Sequence, residues 1–208
     1  ITALNSANIS GTTTLTATAG TLGTIAFING SSSFRTLTSS GDAGISIGAN
    51  LSTTVGSLTF TSTGGSLTLL DGVTALSNTT LAVTANDLNM NTTGALTSTT
   101  TMSITQNVAG GSIGLGNTAG TMSISGSELQ RMTATGLTIT NSTDGAIVVD
   151  GITSANSANI SGTTTLSATT GTLGSLAFST GASSFRTLTS SGDTAITIGA
   201  NLNSTVGA

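Results

Sequence analysis

The sequence predicts an all-β chain wound as a parallel β-helix, a β-solenoid with coils of roughly 20–23 residues. Three observations predict it. Residues 1–57 recur as residues 152–208 at a constant offset of 151 without a gap, and 42 of the 57 aligned pairs are identical. Inside that long period, apolar-x-apolar pairs return about every 20–23 residues, a spacing of solenoid coils rather than of sandwich strands. The composition is that of strand: Ser and Thr make up roughly 40% of the residues, and the branched side chains of Thr, Ile and Val favour the pleated backbone.

The long repeat is explicit in the text of the chain. NSANISGTTTL begins at Asn5 and again at Asn156, and SSFRTLTSSGD begins at Ser32 and again at Ser183. The chain therefore divides into one complete unit, residues 1–151, and the start of a near-identical next unit, residues 152–208, together expected to form a single continuous rod. A chain that ends partway through its second copy reads as an excerpt of a tandem array.

The coils follow in order. Leu15 opens the first, and Leu37 opens a second that is answered by Ile45 and Ile47. Leu58 and Phe60 are answered by Leu67 and Leu69, Leu81 and Val83 by Leu88 and Met90, and Met102 and Ile104 by Ile113 and Leu115. Met122 and Ile124 open another coil, and Leu137 and Ile139, answered by Ile147 and Val149, open the seventh and last of the unit. Period-two alternation puts Leu58, Phe60, Leu67 and Leu69 on one face, filling the bore, and Thr59, Thr61 and Thr68 on the other. Gly41-Asp42, Gly64-Gly65, Asp71-Gly72, Gly110-Gly111 and Asp144-Gly145 are the turn dipeptides, expected to supply positive φ where a coil changes direction.

What the composition lacks narrows the function. The chain has no His, Cys, Trp, Tyr or Pro, and its charged residues are 5% against roughly 25% in average soluble proteins. Without His or Cys, the common acid–base, thiolate and zinc arrangements cannot be assembled. The carboxylates Asp42, Asp71, Asp87, Asp144 and Asp150 sit mostly one per coil and mostly beside Gly, as turn residues do, so no catalytic cluster is expected. The nonapeptide calcium motif of secreted β-rolls is absent as well, and the reading is of a non-enzymatic chain with no cofactor and no metal. A net charge of −4 with no basic run argues against nucleic acid, and no stretch approaches the roughly 18 apolar residues of a membrane helix, so membrane insertion is not expected.

Two charged sets stand out. Glu128 and Arg131, within GSELQRMTA, form the densest charge just where the coil period falters. They read either as an i,i+3 pair on a short turn or helical loop or as a contact between neighbouring units or rods. Arg35 with Asp42, and their copies Arg186 with Asp193, read as structural ion pairs, with Phe34 beside Arg35 as a core plug.

Two longer passages carry a family resemblance: SLTFTSTGGSLTLLDG from Ser57, and GSELQRMTATGLTITNSTDGAIVVDGITSANSANISG over residues 126–162. They resemble the β-solenoid repeats of giant bacterial secreted surface proteins similar to filamentous haemagglutinin, including haemagglutinin-like adhesins. The resemblance implies a right-handed winding, export to the cell surface and an adhesive or structural role. The expected function is a structural repeat module of an extracellular filament, sheath or giant surface protein, with itself as principal partner, head-to-tail and laterally. An adhesin stalk contacting a surface or glycan ligand is the alternative. A phage fibre, an ice-binding protein and a polysaccharide-active β-helix enzyme rank below it; the Thr pairs drift between coils too much for an ice lattice.

Overall fold

The computed structural model describes residues 1–6 and 8–206, so Ala7 and the last two residues of the second repeat copy lie outside the described residues. The chain is nearly all β and forms two compact units, Ile1–Met102 and Ser103–Ala208. The repeat boundary at residue 151 falls inside the second unit.

After a short helix α1 (Ala3–Ser6), the described residues of the first unit form four successive sets of three strands, each set termed a coil. These are β1 (Thr13–Ala17), β2 (Thr24–Phe27) and β3 (Ser32–Phe34); then β4 (Leu37–Gly41), β5 (Gly44–Ile47) and β6 (Leu51–Thr53). They continue with β7 (Leu58–Ser62), β8 (Ser66–Leu69) and β9 (Thr74–Ser77), and with β10 (Leu81–Ala85), β11 (Asp87–Met90) and β12 (Ala95–Ser98). Each strand pairs in parallel with its counterpart in the next coil, giving the sheets β1-β4-β7-β10, β2-β5-β8-β11 and β3-β6-β9-β12. Partners lie between 19 residues (Ser32↔Leu51) and 24 residues (Thr13↔Leu37) apart along the chain. Parallel partners need a crossover between them, and here the other two strands of the coil supply it.

Register places like upon like. Leu37, Leu58 and Leu81 stack in one row, Ile45, Leu67 and Leu88 in a second, and Ile47, Leu69 and Met90 in a third. All nine are buried. Along β7 the burial alternates strictly, with Leu58 and Phe60 inside and Thr59 and Thr61 half-exposed, as period-two reasoning expects. Phe34 is buried and meets Phe27 edge to face, with ring centroids 6.5 Å apart.

The second unit begins in β13 (Thr101–Gln106) and continues through β14 (Ser112–Gly116), β15 (Met122–Ile124), helix α2 (Gly126–Gln130) and β16 (Met132–Thr133). Next come β17 (Gly136–Thr140), β18 (Ala146–Asp150), β19 (Thr163–Ala168), β20 (Ser175–Phe178) and β21 (Ser183–Phe185), and lastly β22 (Thr187–Gly192), β23 (Ala195–Ile198) and β24 (Leu202–Ser204). Its sheets run β13-β17-β19-β22, β15-β14-β18-β20-β23 and β21-β24.

Here one expectation fails. Met122 and Ile124 do not open a coil; β15 pairs with β14 only nine residues earlier, Ile113↔Met122 and Leu115↔Ile124. Among the described residues the first repeat copy therefore has six such opening strands, β1, β4, β7, β10, β13 and β17, instead of seven. The physical reason is a return run over the strand itself. A Cβ on Gly114 would lie 2.3 Å from the Thr118 carbonyl oxygen, and one on Gly120 would lie 2.4 Å from Gly114 N. Two glycines let backbone pass directly over backbone, and Ser112 and Thr121 fasten the crossing by reciprocal N–H to hydroxyl bonds of 3.1 and 3.3 Å.

The bends differ in part as well. Gly72, Gly110 and Asp144 do take positive φ, at 73°, 68° and 59°. Gly41, Gly64, Gly65, Gly111 and Gly145 do not. Gly65 is required by crowding: a Cβ there would sit 2.1 Å from the Ala43 carbonyl oxygen in the preceding coil.

Candidate inter-repeat interface

The end of the first repeat copy packs on the start of the second entirely within the second unit. The ladder crosses the boundary unbroken, β17 on β19 with Ile139↔Leu166, and β18 on β20 with Ile147↔Leu176 and Val149↔Phe178. These six side chains are buried, so the apolar interior is continuous across the junction.

Helix α2 sits at this junction because the sequence caps it. Ser125 is the N-cap, its Oγ accepting from Glu128 N–H at 3.2 Å while Glu128 Oε2 accepts from Ser125 N–H at 2.8 Å, a complete capping box. Leu129 anchors the turn in the interior. Arg131 Nη1 donates to the Ser127 carbonyl at 3.0 Å. These bonds are local to the helix, and residues beside Glu128 and Arg131 reach the next copy. The Gln130 carbonyl accepts from Asn159 Nδ2 at 2.6 Å, and Ala134 N–H donates to the Asn159 carbonyl at 3.2 Å. Ser161 N–H returns to the Ala134 carbonyl at 3.0 Å, and Ile160 is buried against this parallel bridge.

Carboxylates fasten the corners. Asp144, held at φ 59°, accepts from Thr172 N–H at 2.7 Å and Leu173 N–H at 2.9 Å through Oδ1. Asp150 Oδ1 accepts from Thr180 Oγ1 and Gly181 N–H. The first unit repeats the device: Asp42 accepts from Thr63 Oγ1 at 3.0 Å, and Asp71 from Thr93 N–H at 3.1 Å. Read as turn residues from sequence, these four aspartates each bond forward, to the coil that follows.

The expected ion pairs of Arg35 with Asp42 and Arg186 with Asp193 do not form among the described residues. A strand lies between the members of each pair, β4 of five residues in one and β22 of six in the other, and at about 3.3 Å per residue the strand alone separates them by roughly 17–20 Å. Asp42 Oδ1 accepts from Thr63 instead, and Arg35 is exposed at the corner before β4.

The bonds from Thr172 and then Leu173 hold the Asp144 carboxyl below the usual carboxylate range. A depressed folded-state value means that the contribution is present in full above the unfolded-state pKa and is lost as pH falls through the folded one. Acidification from neutral is therefore expected to leave this clasp intact until the carboxylate range is reached. Asp144→Gly, which suits the positive φ, should flatten part of the acid-side fall in thermal stability. An unchanged acid profile would remove Asp144 from the account.

Among the described residues, no group of three or more His, Cys, Asp or Glu is placed to hold a metal. The shallow hollow over β2, β5 and β8 is lined by Thr24, Ala26, Gly44, Ser46, Ser66 and Thr68 along with neighbouring apolar residues, with no ionisable side chain. Among the described residues, no helix is long and apolar enough to cross a membrane.

Fold and junction together define an all-β tandem-repeat chain built on parallel sheets. No family model matches the chain, and neither a curated protein nor a solved structure matches it.

Proposed function

We propose that the chain is a right-handed parallel β-solenoid whose work is structural: a repeat module of a bacterial extracellular filament, sheath or giant surface protein, providing a stiff, self-associating rod. One observation carries the reading. The boundary between repeat copies is bridged by the same in-register parallel ladder and buried rows that join coils within a copy, Ile147↔Leu176 and Val149↔Phe178 above all. A module whose junction is built like its interior can be added in series without a special connector, which is what a length-setting protein needs. Register spacings of 19 to 24 residues in the first unit support the coil length, and the resemblance of residues 126–162 to haemagglutinin-type repeats supports export.

Electron microscopy of the native material, combined with the mass of its denatured polypeptide, tests this. Fibrous particles built from a polypeptide many repeats long are expected. Globular particles, or a polypeptide of about one repeat, would overturn it.

A further inference from the structure

The two repeat copies act as an internal control, because the same residues appear once covered and once bare. Ile152 and Ile160 are buried at 0% and 1% exposure, whereas their equivalents Ile1 and Ile9 are exposed at 58% and 43%. In the second copy the Thr172 and Leu173 amides are taken by Asp144. Their equivalents, the amides of Thr21 and Leu22, have no hydrogen-bond partner among the described residues. The difference lies in the cover and not in the local shape. Thr2 and Asn5 bond each other as Thr153 and Asn156 do, with hydroxyl-to-carbonyl distances of 2.6 and 2.7 Å. Ser33 N–H reaches the Ile1 carbonyl at 2.6 Å as Ser184 N–H reaches that of Ile152 at 2.7 Å. Gly20 holds φ 111° where Gly171 holds 105°, so the corner that presents the two amides is preset in both copies.

From this comparison we infer that the face made by Ile1, Ile9, Thr21 and Leu22 is a docking face for another copy of residues 126–151, joined in line with Ile1 as Gly151 is joined to Ile152. The occupant is fixed by chemistry already on view one repeat later. A carboxylate in the position of Asp144 meets the paired amides of Thr21 and Leu22. A backbone bridge in the position of Ala134 covers Ile9, and a carbonyl in the position of Gln130 accepts from the Asn8 side chain. The inference rests on the solenoid reading above and adds the identity of the contact: repeats are clasped by an aspartate on a preset pair of amides, beside a buried isoleucine. Not every equivalent matches, since Asn29 takes φ 62° where Thr180 does not, so the contact that Asp150 makes to Thr180 and Gly181 is not carried over.

The test is amide hydrogen exchange, resolved by residue, on the 208-residue chain and on an extended chain with residues 103–151 placed directly ahead of Ile1. Exchange at Thr21 and Leu22 is expected to slow on the order of tenfold or more in the extended chain, toward the rate at Thr172 and Leu173. Asp144→Gly in the added copy alone should restore fast exchange at Thr21 and Leu22 while Thr172 and Leu173 stay slow. If Thr172 and Leu173 are protected but Thr21 and Leu22 remain fast in the extended chain, the docking face is wrong and the solenoid reading stands. If Thr172 and Leu173 themselves exchange freely in the 208-residue chain, both fall.

Discussion

Asn141→Ala is expected to lower stability by several kcal/mol, on the order of 3–5, although the residue bears no charge. Its side chain is fully buried and every polar atom is used. Nδ2 donates to the Gly111 carbonyl at 2.9 Å and to the Ala146 carbonyl at 2.7 Å, while Oδ1 accepts from Ser142 N–H at 2.8 Å. The buried amide of Gln106, set with its nitrogen toward Asn141, donates to the same Oδ1 at 2.8 Å and exchanges further bonds with Val108 N–H and carbonyl at 3.0 and 3.1 Å. Alanine leaves two carbonyls, one N–H and the Gln106 amide short of a partner, each at a cost of about 1–3 kcal/mol. Because these groups share one network and relax together, the total stays below their sum. Denaturant unfolding of the variant beside the parent chain measures it. A loss under about 1 kcal/mol would mean that water replaces the side chain and that the corner is not sealed.

That network also marks where sequence reasoning stopped short. The inward parity of Leu58, Phe60, Leu67 and Leu69 was plain from alternation with Thr, because one face had to be dry. Gln106 shares the parity of Met102 and Ile104, and a polar residue that keeps an inward phase is itself a signal of a buried hydrogen-bonding site. Met122 and Ile124 carried the same apolar-x-apolar mark as a coil opening, and periodicity alone cannot say which sheet such a pair joins. The glycines at 114 and 120 were the available clue, since glycine inside a strand pattern points to a close backbone approach. The aspartates were visible as corner residues, but their donors lie 21 residues on for Asp42, 22 for Asp71 and 28 and 29 for Asp144. With that spread no fixed spacing reveals them. Glu128 and Arg131 stand out in the sequence as charges, whereas two contacts to the next copy, through the backbone carbonyl of Gln130 and the bridge at Ala134, carry no sequence signature.

Phe60→Ala tests the buried rows themselves and should cost about 3–5 kcal/mol. In its row Phe60 lies between Ser39 of the coil before and Val83 of the coil after. All three are buried, and the small Ser39 leaves the space that the ring fills. Truncation thus removes the bulk where one neighbour has no side chain to spare for refilling, and ladder bonds to β4 and β10 on either side keep the strands from closing the gap. The expected cost lies at the upper part of the range for that reason. Thr59→Ala, one residue away and pointing out, is expected to change stability by no more than about 0.5 kcal/mol. Both substitutions leave the backbone pairing of β7 intact, so their ratio isolates burial from strand propensity. Comparable losses at the two positions, measured as shifts in denaturation midpoint, would show that the two faces of the strand are equally solvated and that the interior rows do not hold the coils together.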